Sequence, residues 1–104
     1  MLSDAIDNLH SLRERIATLA KVQAERELDG RVLRLTVETE KCHAGASQTA
    51  AEKAAKVDAR YLAHERESIK TAYDRMVLEA DAEAERFGVE LQLALLKRES
   101  VGAV

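Results

Sequence analysis

Four side chains of this sequence could bind a metal ion or act as a nucleophile: Cys42, His10, His43 and His64. A structural zinc site needs about four ligands in recognisable pairs, and these spacings form no such pattern. A thiol and an imidazole on adjacent residues rarely face each other, and no third group is placed to orient Cys42 and His43. The sequence therefore predicts no catalytic residue, no metal site and no cofactor, and we expect a protein that is not an enzyme.

Contact with a nucleic-acid backbone would need basic side chains on one face. Lys53, Lys56 and Arg60 recur at spacings of three and four, which places them on one face of a continuous helix, and Lys70 lies on a neighbouring stripe. Acidic residues are interleaved with them, and the net charge of −3 gives no strongly basic field. Nucleic-acid binding through these four residues is therefore an alternative that the composition does not favour.

A locally acidic stretch is opposed only by Arg86. Its members are Glu79, Asp81, Glu83, Glu85 and Glu90. A solvated helix face is the simplest interpretation of such a stretch. The alternative is an acidic surface that binds a basic partner, for example as an inhibitor of a host defence or regulatory complex.

The composition indicates long helices in a single domain that spans residues 1–104. Hydrophobic residues make up 46% of the chain, but they are mostly Ala, Leu and Val, and only 3% of the residues are aromatic. Charged residues reach 34%, and there is no proline. This profile is typical of coiled coils and long helices, in which small side chains let helices pack closely.

The compartment expected from the sequence is the cytoplasm. A single cysteine precludes an internal disulfide, which fits a reducing environment. The first residues lack the basic region and apolar run of a secretory signal. No apolar run approaches the roughly 18 residues of a membrane span, so we expect no membrane association.

A first helix is predicted over about residues 4–41. Its apolar residues recur at spacings of three and four: Ile6, Leu9, Leu12, Ile16 and Leu19. The next positions of this stripe are Gln23 and Arg26, and the apolar residues resume at Leu28, Val32 and Leu35, and also at Leu33 and Val37. We therefore expect the stripe to shift around the helix, as it does at a stutter in a coiled coil.

Residues 31–40 are compatible with either a helix or a strand. Asp29-Gly30 followed by alternating apolar residues resembles a turn that leads into a strand. The preceding segment is helical in pattern, so no first strand is available for pairing, and an isolated strand would be unstable. We expect the helix to continue through Gly30, with a kink as one option.

A turn is predicted at about residues 42–47, where Gly45 ends the first helix and Ser47 caps the second. The second helix is predicted over about 48–98, with residues 101–104 frayed. Its predicted buried stripe consists of Leu62, Ile69, Tyr73, Met76, Ala80, Ala84, Phe87, Leu91 and Leu95. The expected fold class is all-α, a long antiparallel two-helix hairpin that resembles a coiled coil.

The end of the second helix carries more apolar side chains than one neighbouring helix can cover. Either Leu2 and Ile6 fold over them or a second subunit does, and a homodimer with four helices would supply that subunit. Whether this surface meets a second copy or a different protein stays open. The candidate interface residues are Tyr73, Met76, Phe87, Leu91, Leu95 and Leu96.

Three segments resemble a group of small helical proteins encoded by phages and prophages. They are residues 44–52, the alanine-rich segment through 58–61, and the ending at 96–100. Such proteins are found near recombination and single-strand-binding genes, so the resemblance implies an accessory role in phage DNA recombination or replication. The expected function is a non-enzymatic protein–protein interaction module, with weak nucleic-acid binding or inhibition of a host complex as alternatives.

Overall fold

The computed structural model describes residues 2–102, and the side chains of residues 2–100. It contains three helices: α1 (Leu2–His43), α2 (Gln48–Val57) and α3 (Ala59–Gly102). No strand occurs within the described range. The all-α fold class expected from the composition is confirmed.

Helix α1 continues without interruption through Gly30 and through residues 31–40. The strand alternative for this segment is therefore wrong, and the predicted helix is confirmed. The threonines of the segment favour strands, but their hydroxyls are satisfied within the helix. Thr36 and Thr39 donate to the carbonyl oxygens four residues earlier, each at 2.8 Å.

The turn after α1 has the hydrogen bonds of a Schellman motif. The Ala46 N–H donates to the Lys41 carbonyl oxygen and the Gly45 N–H to that of Cys42, both at 3.0 Å. Gly45 has φ 99°, a conformation that favours glycine because it has no Cβ. Ser47 then caps α2, since its Oγ accepts from the Ala50 N–H at 3.2 Å. The predicted roles of Gly45 and Ser47 are confirmed.

The prediction of one continuous second helix over 48–98 is wrong, because the chain leaves the helical conformation at Asp58. This residue has ψ 135°, and its N–H donates to the Ala55 carbonyl oxygen at 3.3 Å. Its carboxylate accepts from the Arg60 N–H at 2.9 Å and so caps the start of α3. Helix α3 includes residues 101 and 102, which we expected to be frayed, while 103 and 104 lie outside the described residues.

The chain divides into two compact units. The turn unit is Ala20–Tyr73, which holds the end of α1, all of α2 and the start of α3. The terminal unit combines the residues up to Leu19 with those from Asp74 onward.

The densest part of the turn unit lies where α2 follows the turn. Val37 of α1 and Ala51 and Ala55 of α2 are each 0% exposed. Alanine at these two positions, one turn apart on α2, allows the backbone of α2 to approach its neighbours closely. Ser47 and Asp58 limit α2 to ten residues, so its buried face is short.

The predicted shift of the apolar stripe on α1 is wrong. Gly30 and Val37 are buried and Arg26 is half-buried, all on the face that continues the spacing of Leu9 and Leu12. Of the apolar residues after the polar positions, Leu33 is half-buried and Val37 is buried, whereas Leu28, Val32 and Leu35 are exposed. An uninterrupted helix keeps the same face inward, so polar and small residues occupy that face where the apolar pattern lapses.

The predicted buried stripe of α3 is also wrong in both units. In the turn unit Thr71 is buried and His64 and Ser68 are half-buried, whereas the predicted stripe residues Leu62, Ile69 and Tyr73 are exposed. In the terminal unit the buried residues of α3 are Leu78 and Val89. The predicted residues there are exposed: Met76, Ala80, Ala84, Phe87, Leu91 and Leu95.

The first testable prediction concerns the close packing of α2. Replacing Ala55 with Leu adds three carbons at a fully buried site and should lower the free energy of unfolding by about 1–3 kcal/mol. Ala50, exposed in the same helix, is the matched control, and Ala50→Leu should change it by at most about 0.5 kcal/mol. Urea unfolding followed by circular dichroism measures both. Equal effects of the two substitutions would contradict the packing described.

Candidate interaction surface

One face of α3 in the terminal unit is apolar and exposed. We call it the α3 apolar face, and it consists of Met76, Ala80, Ala84, Phe87, Leu91 and Leu95. At about 100° per residue these positions fall within an arc of about 100°. The buried Leu78 and Val89 lie on the opposite side of the helix. The terminal unit thus buries one side of α3 and presents the other, more apolar side to solvent.

The exposure of this face is large for such side chains. Phe87 is 67% exposed and Met76 60%, while Leu91 and Leu95 are each 50% exposed. Single exposed apolar residues are normal on protein surfaces, but a contiguous group of large ones marks an interaction site. Their regular spacing along one helix gives a continuous strip suited to another helix.

The other two predicted interface residues are not members of the α3 apolar face, for two different reasons. Tyr73 is 61% exposed but belongs to the turn unit. Leu96 lies on the same side of α3 as Leu78 and is half exposed. The late leucines are half exposed and Ile6 is itself exposed, so the start of α1 does not bury them fully. Leu95 and Leu96 were predicted together because one neighbouring helix cannot cover leucines that point in several directions, and adjacent residues do point about 100° apart on a helix.

Part of the acidic stretch forms ion pairs with arginines of the same helix. Glu79 accepts from Arg75 at 2.8 Å, and Arg86 contacts Glu83 at 2.8 Å and Glu90 at 3.9 Å. The bond to Glu83 raises the pKa of Arg86. The remaining acidic residues of the stretch lie elsewhere around the helix, and Glu85 is half-buried. The stretch therefore does not form a single acidic surface. Its members, together with Arg75 and Arg86, give charged residues of both signs beside the α3 apolar face.

A second apolar strip is exposed on α1 in the turn unit. It consists of Leu28, Val32 and Leu35, which are exposed on the side opposite Gly30 and Val37. Val32 and Leu35 line a shallow cleft of about 380 Å³ together with Thr36, Thr39, Glu40 and His43. This strip is shorter than the α3 apolar face and carries no aromatic residue.

The four predicted nucleic-acid contacts do not share one helical face. Lys53 and Lys56 lie on α2 and Arg60 and Lys70 on α3, because the break at Asp58 interrupts the spacing that would align them. All four side chains are exposed. The helical-face argument from their spacing is therefore wrong.

Arg60 is held by two carboxylates. Its guanidinium donates to both oxygens of Glu40, at 3.2 and 2.7 Å, and to Asp58 at 3.1 Å. These hydrogen bonds lower the pKa of Glu40 and of Asp58. A guanidinium that already bridges two carboxylates is poorly placed to bind a phosphate, so its structural role is to connect the start of α3 with the end of α1.

A polar contact that the sequence did not reveal joins α3 to α1 in the turn unit. The Nε2 atom of His64 lies 2.7 Å from the carbonyl oxygen of Arg26. A carbonyl oxygen can only accept, so Nε2 carries the hydrogen. A Cβ atom at Gly30 would lie 2.9 Å from this nitrogen. The sequence did contain one signal for this contact. Gly30 follows Arg26 at the spacing of the apolar stripe of α1, and a glycine inside a helical pattern often marks a place where another part of the chain comes close to the helix backbone.

Cys42, His10 and His43 are not brought together with His64 into a metal site. Among the described residues no group of three or more His, Cys, Asp or Glu side chains could hold a metal ion. The Cys42 thiol lies 3.5 Å from the Gln48 side-chain oxygen across the turn. Within the described part of the chain no helix has the length and apolar character needed to cross a membrane.

The second prediction tests the approach of His64 to Gly30. Gly30→Ala should lower the free energy of unfolding by about 1–2 kcal/mol, because the new Cβ displaces His64 from the Arg26 carbonyl. Once His64 is replaced by Ala, the same substitution should instead stabilise by about 1 kcal/mol, since alanine is the better helix former. Chemical unfolding of the four variants of this cycle measures the change of sign.

Gly88→Ala is the matched control for this cycle, because a Cβ at Gly88 meets nothing within 4 Å. It should stabilise by about 1 kcal/mol whether or not His64 is present. If Gly30→Ala behaves like Gly88→Ala in the wild-type background, the contact does not constrain position 30.

The third prediction concerns pH. The pKa values of Glu40 and Asp58 are lowered in the folded state, so their ion pairs with Arg60 stabilise above the ordinary pKa values of 4.5 and 3.8. This stabilisation is lost as the pH falls through the lowered values. Arg60→Gln should therefore reduce the melting temperature at pH 7, and the difference from wild type should shrink as the pH falls below the ordinary pKa values of the two carboxyl groups.

Arg66→Gln, which removes the charge of another exposed arginine on α3, is the control for Arg60→Gln. Thermal unfolding from pH 2 to pH 7 compares the two variants. Because the pair is exposed, the effect should be small. A loss that is equally large at both ends of this range would show that Arg60 acts through packing of its stem.

Known proteins offer no counterpart of this surface for comparison. No protein-family model, no curated protein and no solved structure matches the chain.

Proposed function

We propose that this protein is a non-enzymatic interaction module, and that the α3 apolar face is its principal binding surface. The observation that carries this proposal is the inverted distribution of side chains on α3 in the terminal unit. Its largest apolar residues, Phe87 and Met76 among them, are exposed, whereas half-buried positions include the charged Arg75 and Glu85. A helix normally turns its apolar stripe toward its own core, so this stripe is suited to a different helix.

The scaffold for this surface is proposed to be a helical hairpin in which α3 runs antiparallel to α1 within each unit. In the turn unit Glu40 pairs with Arg60, while Arg26, earlier in α1, contacts His64, later in α3. In the terminal unit a shallow cleft of about 390 Å³ has walls from both helices. Its α1 wall is Asn8, Ser11, Leu12 and Arg15, and its α3 wall is Asp81, Ala84 and Glu85.

Covering the α3 apolar face would supply a useful binding energy. Full burial of a Leu, Met or Phe side chain contributes about 1.5–3 kcal/mol, and each large residue of the face is half exposed or more. Met76, Phe87, Leu91 and Leu95 together could therefore contribute several kcal/mol. Part of that energy is spent on ordering the two partners, so a specific complex of moderate affinity is the expected result.

The resemblance to phage-encoded helical proteins directs the proposal toward an accessory role in phage DNA recombination or replication. In that role the chain would act by associating with protein and not by binding the DNA itself. The engagement of Arg60 by Glu40 and Asp58 supports this choice over direct nucleic-acid binding.

The fourth prediction tests the binding surface. Phe87→Glu combined with Leu91→Glu should abolish association while helix content stays unchanged, because both positions are exposed on α3. Fluorescently labelled chain is followed by sedimentation velocity in two samples. One is buffer at micromolar concentration, and the other is an extract of cells that naturally produce the protein.

Gln92→Glu combined with Ser100→Glu is the matched control, because it adds two charges at exposed positions outside the α3 apolar face. Wild type and control should sediment faster than a monomer in at least one of the samples, and the face variant should not. If wild type sediments as a monomer in both samples, or if the face variant associates as well as wild type, the proposal is wrong.

A further inference from the structure

We propose that the occupant of the α3 apolar face is the same face of a second copy of the chain. The two copies would pair antiparallel about a two-fold axis that passes between residues 85 and 86. This inference rests on the proposed function, because it names the partner of that surface. It is carried by three observations: the order of the spacings along the face, the sizes of its residues, and the surface area that the single chain leaves exposed.

The spacings of the face read the same in both directions. From Met76 to Leu95 the six residues are separated by four, four, three, four and four positions. A two-fold axis at the centre of this pattern brings each residue opposite another member of the face. Ala84 then meets Phe87 of the second copy, Ala80 meets Leu91, and Met76 meets Leu95. Such self-complementarity is what an interface between identical copies requires.

The residue sizes fit two helices that cross. The face consists of two rows with a spacing of four, and packing such rows into each other gives the commonest crossing angle, about 50°. The axes are closest at the crossing point, where Ala80 and Ala84 stand opposite larger side chains. Toward the ends the axes diverge, and there Met76 stands opposite Leu95. Near the closest approach each contact therefore pairs a small residue with a large one, and two large residues meet where more space must be filled.

The surface area of the single chain leaves room for such an interface. The chain exposes 7749 Å². A folded monomer of 11.5 kDa is expected to expose about 5,800 Å². The chain therefore exposes roughly 1,900 Å² more than expected. Each partner in a standard interface buries about 800 Å², which is less than this difference. The chain alone thus exposes more surface than its mass predicts, and the difference is ample for a stable dimer.

The fifth prediction tests the pairing by disulfide formation in full-length chains that carry Cys42→Ser. One chain carries Ala80→Cys and the other, distinguished by a short tag, carries Leu91→Cys. At a helix separation of about 8 Å and a crossing angle of about 50°, the Cα atoms of positions 80 and 91 lie roughly 7–8 Å apart, so a small movement of the helices allows a disulfide to form. Two Ala80→Cys chains would place their thiols roughly 16 Å apart along the axis. We expect the mixed disulfide in at least about tenfold excess over either same-variant disulfide.

A volume swap provides a second readout of the same pairing. Ala80→Leu places two leucines opposite each other, and Leu91→Ala leaves a gap, so each should weaken dimerisation at least about tenfold. The double variant restores one alanine opposite one leucine and should recover most of the affinity. Sedimentation equilibrium measures the dissociation constants, and circular dichroism verifies that each variant is helical.

The possible outcomes separate this inference from the proposed function. A dominant disulfide between two Ala80→Cys chains would show a parallel pair and overturn the antiparallel pairing. A double variant no stronger than the single variants would overturn the register. A wild-type chain that is monomeric in buffer but associates through Phe87 and Leu91 in the extract would overturn self-pairing and leave the proposed interaction module intact.

Discussion

The turn unit depends on one close approach between α3 and α1, at a position where α1 has no side chain. His64 reaches across Gly30 and donates to the Arg26 carbonyl oxygen at 2.7 Å. Any other residue at position 30 would place a Cβ 2.9 Å from the His64 nitrogen, inside normal contact distance. The glycine weakens the helix by about 1 kcal/mol relative to alanine, but it allows a hydrogen bond that fixes how α3 is rotated in this unit.

That rotation decides which residues of α3 face inward. With His64 directed at α1, Ser68 and Thr71 lie on the same side at spacings of four and three and are half-buried or buried. Leu62 and Ile69 are consequently turned to solvent. A buried hydroxyl would be costly without a partner, but Thr71 donates to the Glu67 carbonyl oxygen at 3.0 Å. A specific polar contact thus outweighs the hydrophobic pattern in choosing the buried face.

The sequence predicted those features that depend on neighbouring residues. Gly45 and Ser47 were assigned correctly, because a left-handed turn and a helix cap are determined by the few residues around them. Asp58 was missed because no glycine or proline accompanies it, although aspartate is a strong cap residue. The buried face of α3 was missed for a different reason. Hydrophobicity was assumed to mark the inward side, whereas the contact between His64 and Arg26 joins residues that are far apart in the sequence.

In the terminal unit the larger apolar stripe of α3 faces outward, and the core beneath it is correspondingly thin. Its buried apolar side chains are few among the described residues, with Leu9 on α1 and Leu78 and Val89 on α3. A partner that covers Phe87 and Leu91 would add substantially to the apolar surface that these three residues bury. Folding and binding of this unit are therefore linked. A partner that binds only the folded form adds about 2.7 kcal/mol to the free energy of unfolding when its free concentration is a hundred times its dissociation constant. Because the inward side of α3 in this unit includes the half-buried Arg75 and Glu85, its larger apolar residues are left available for association.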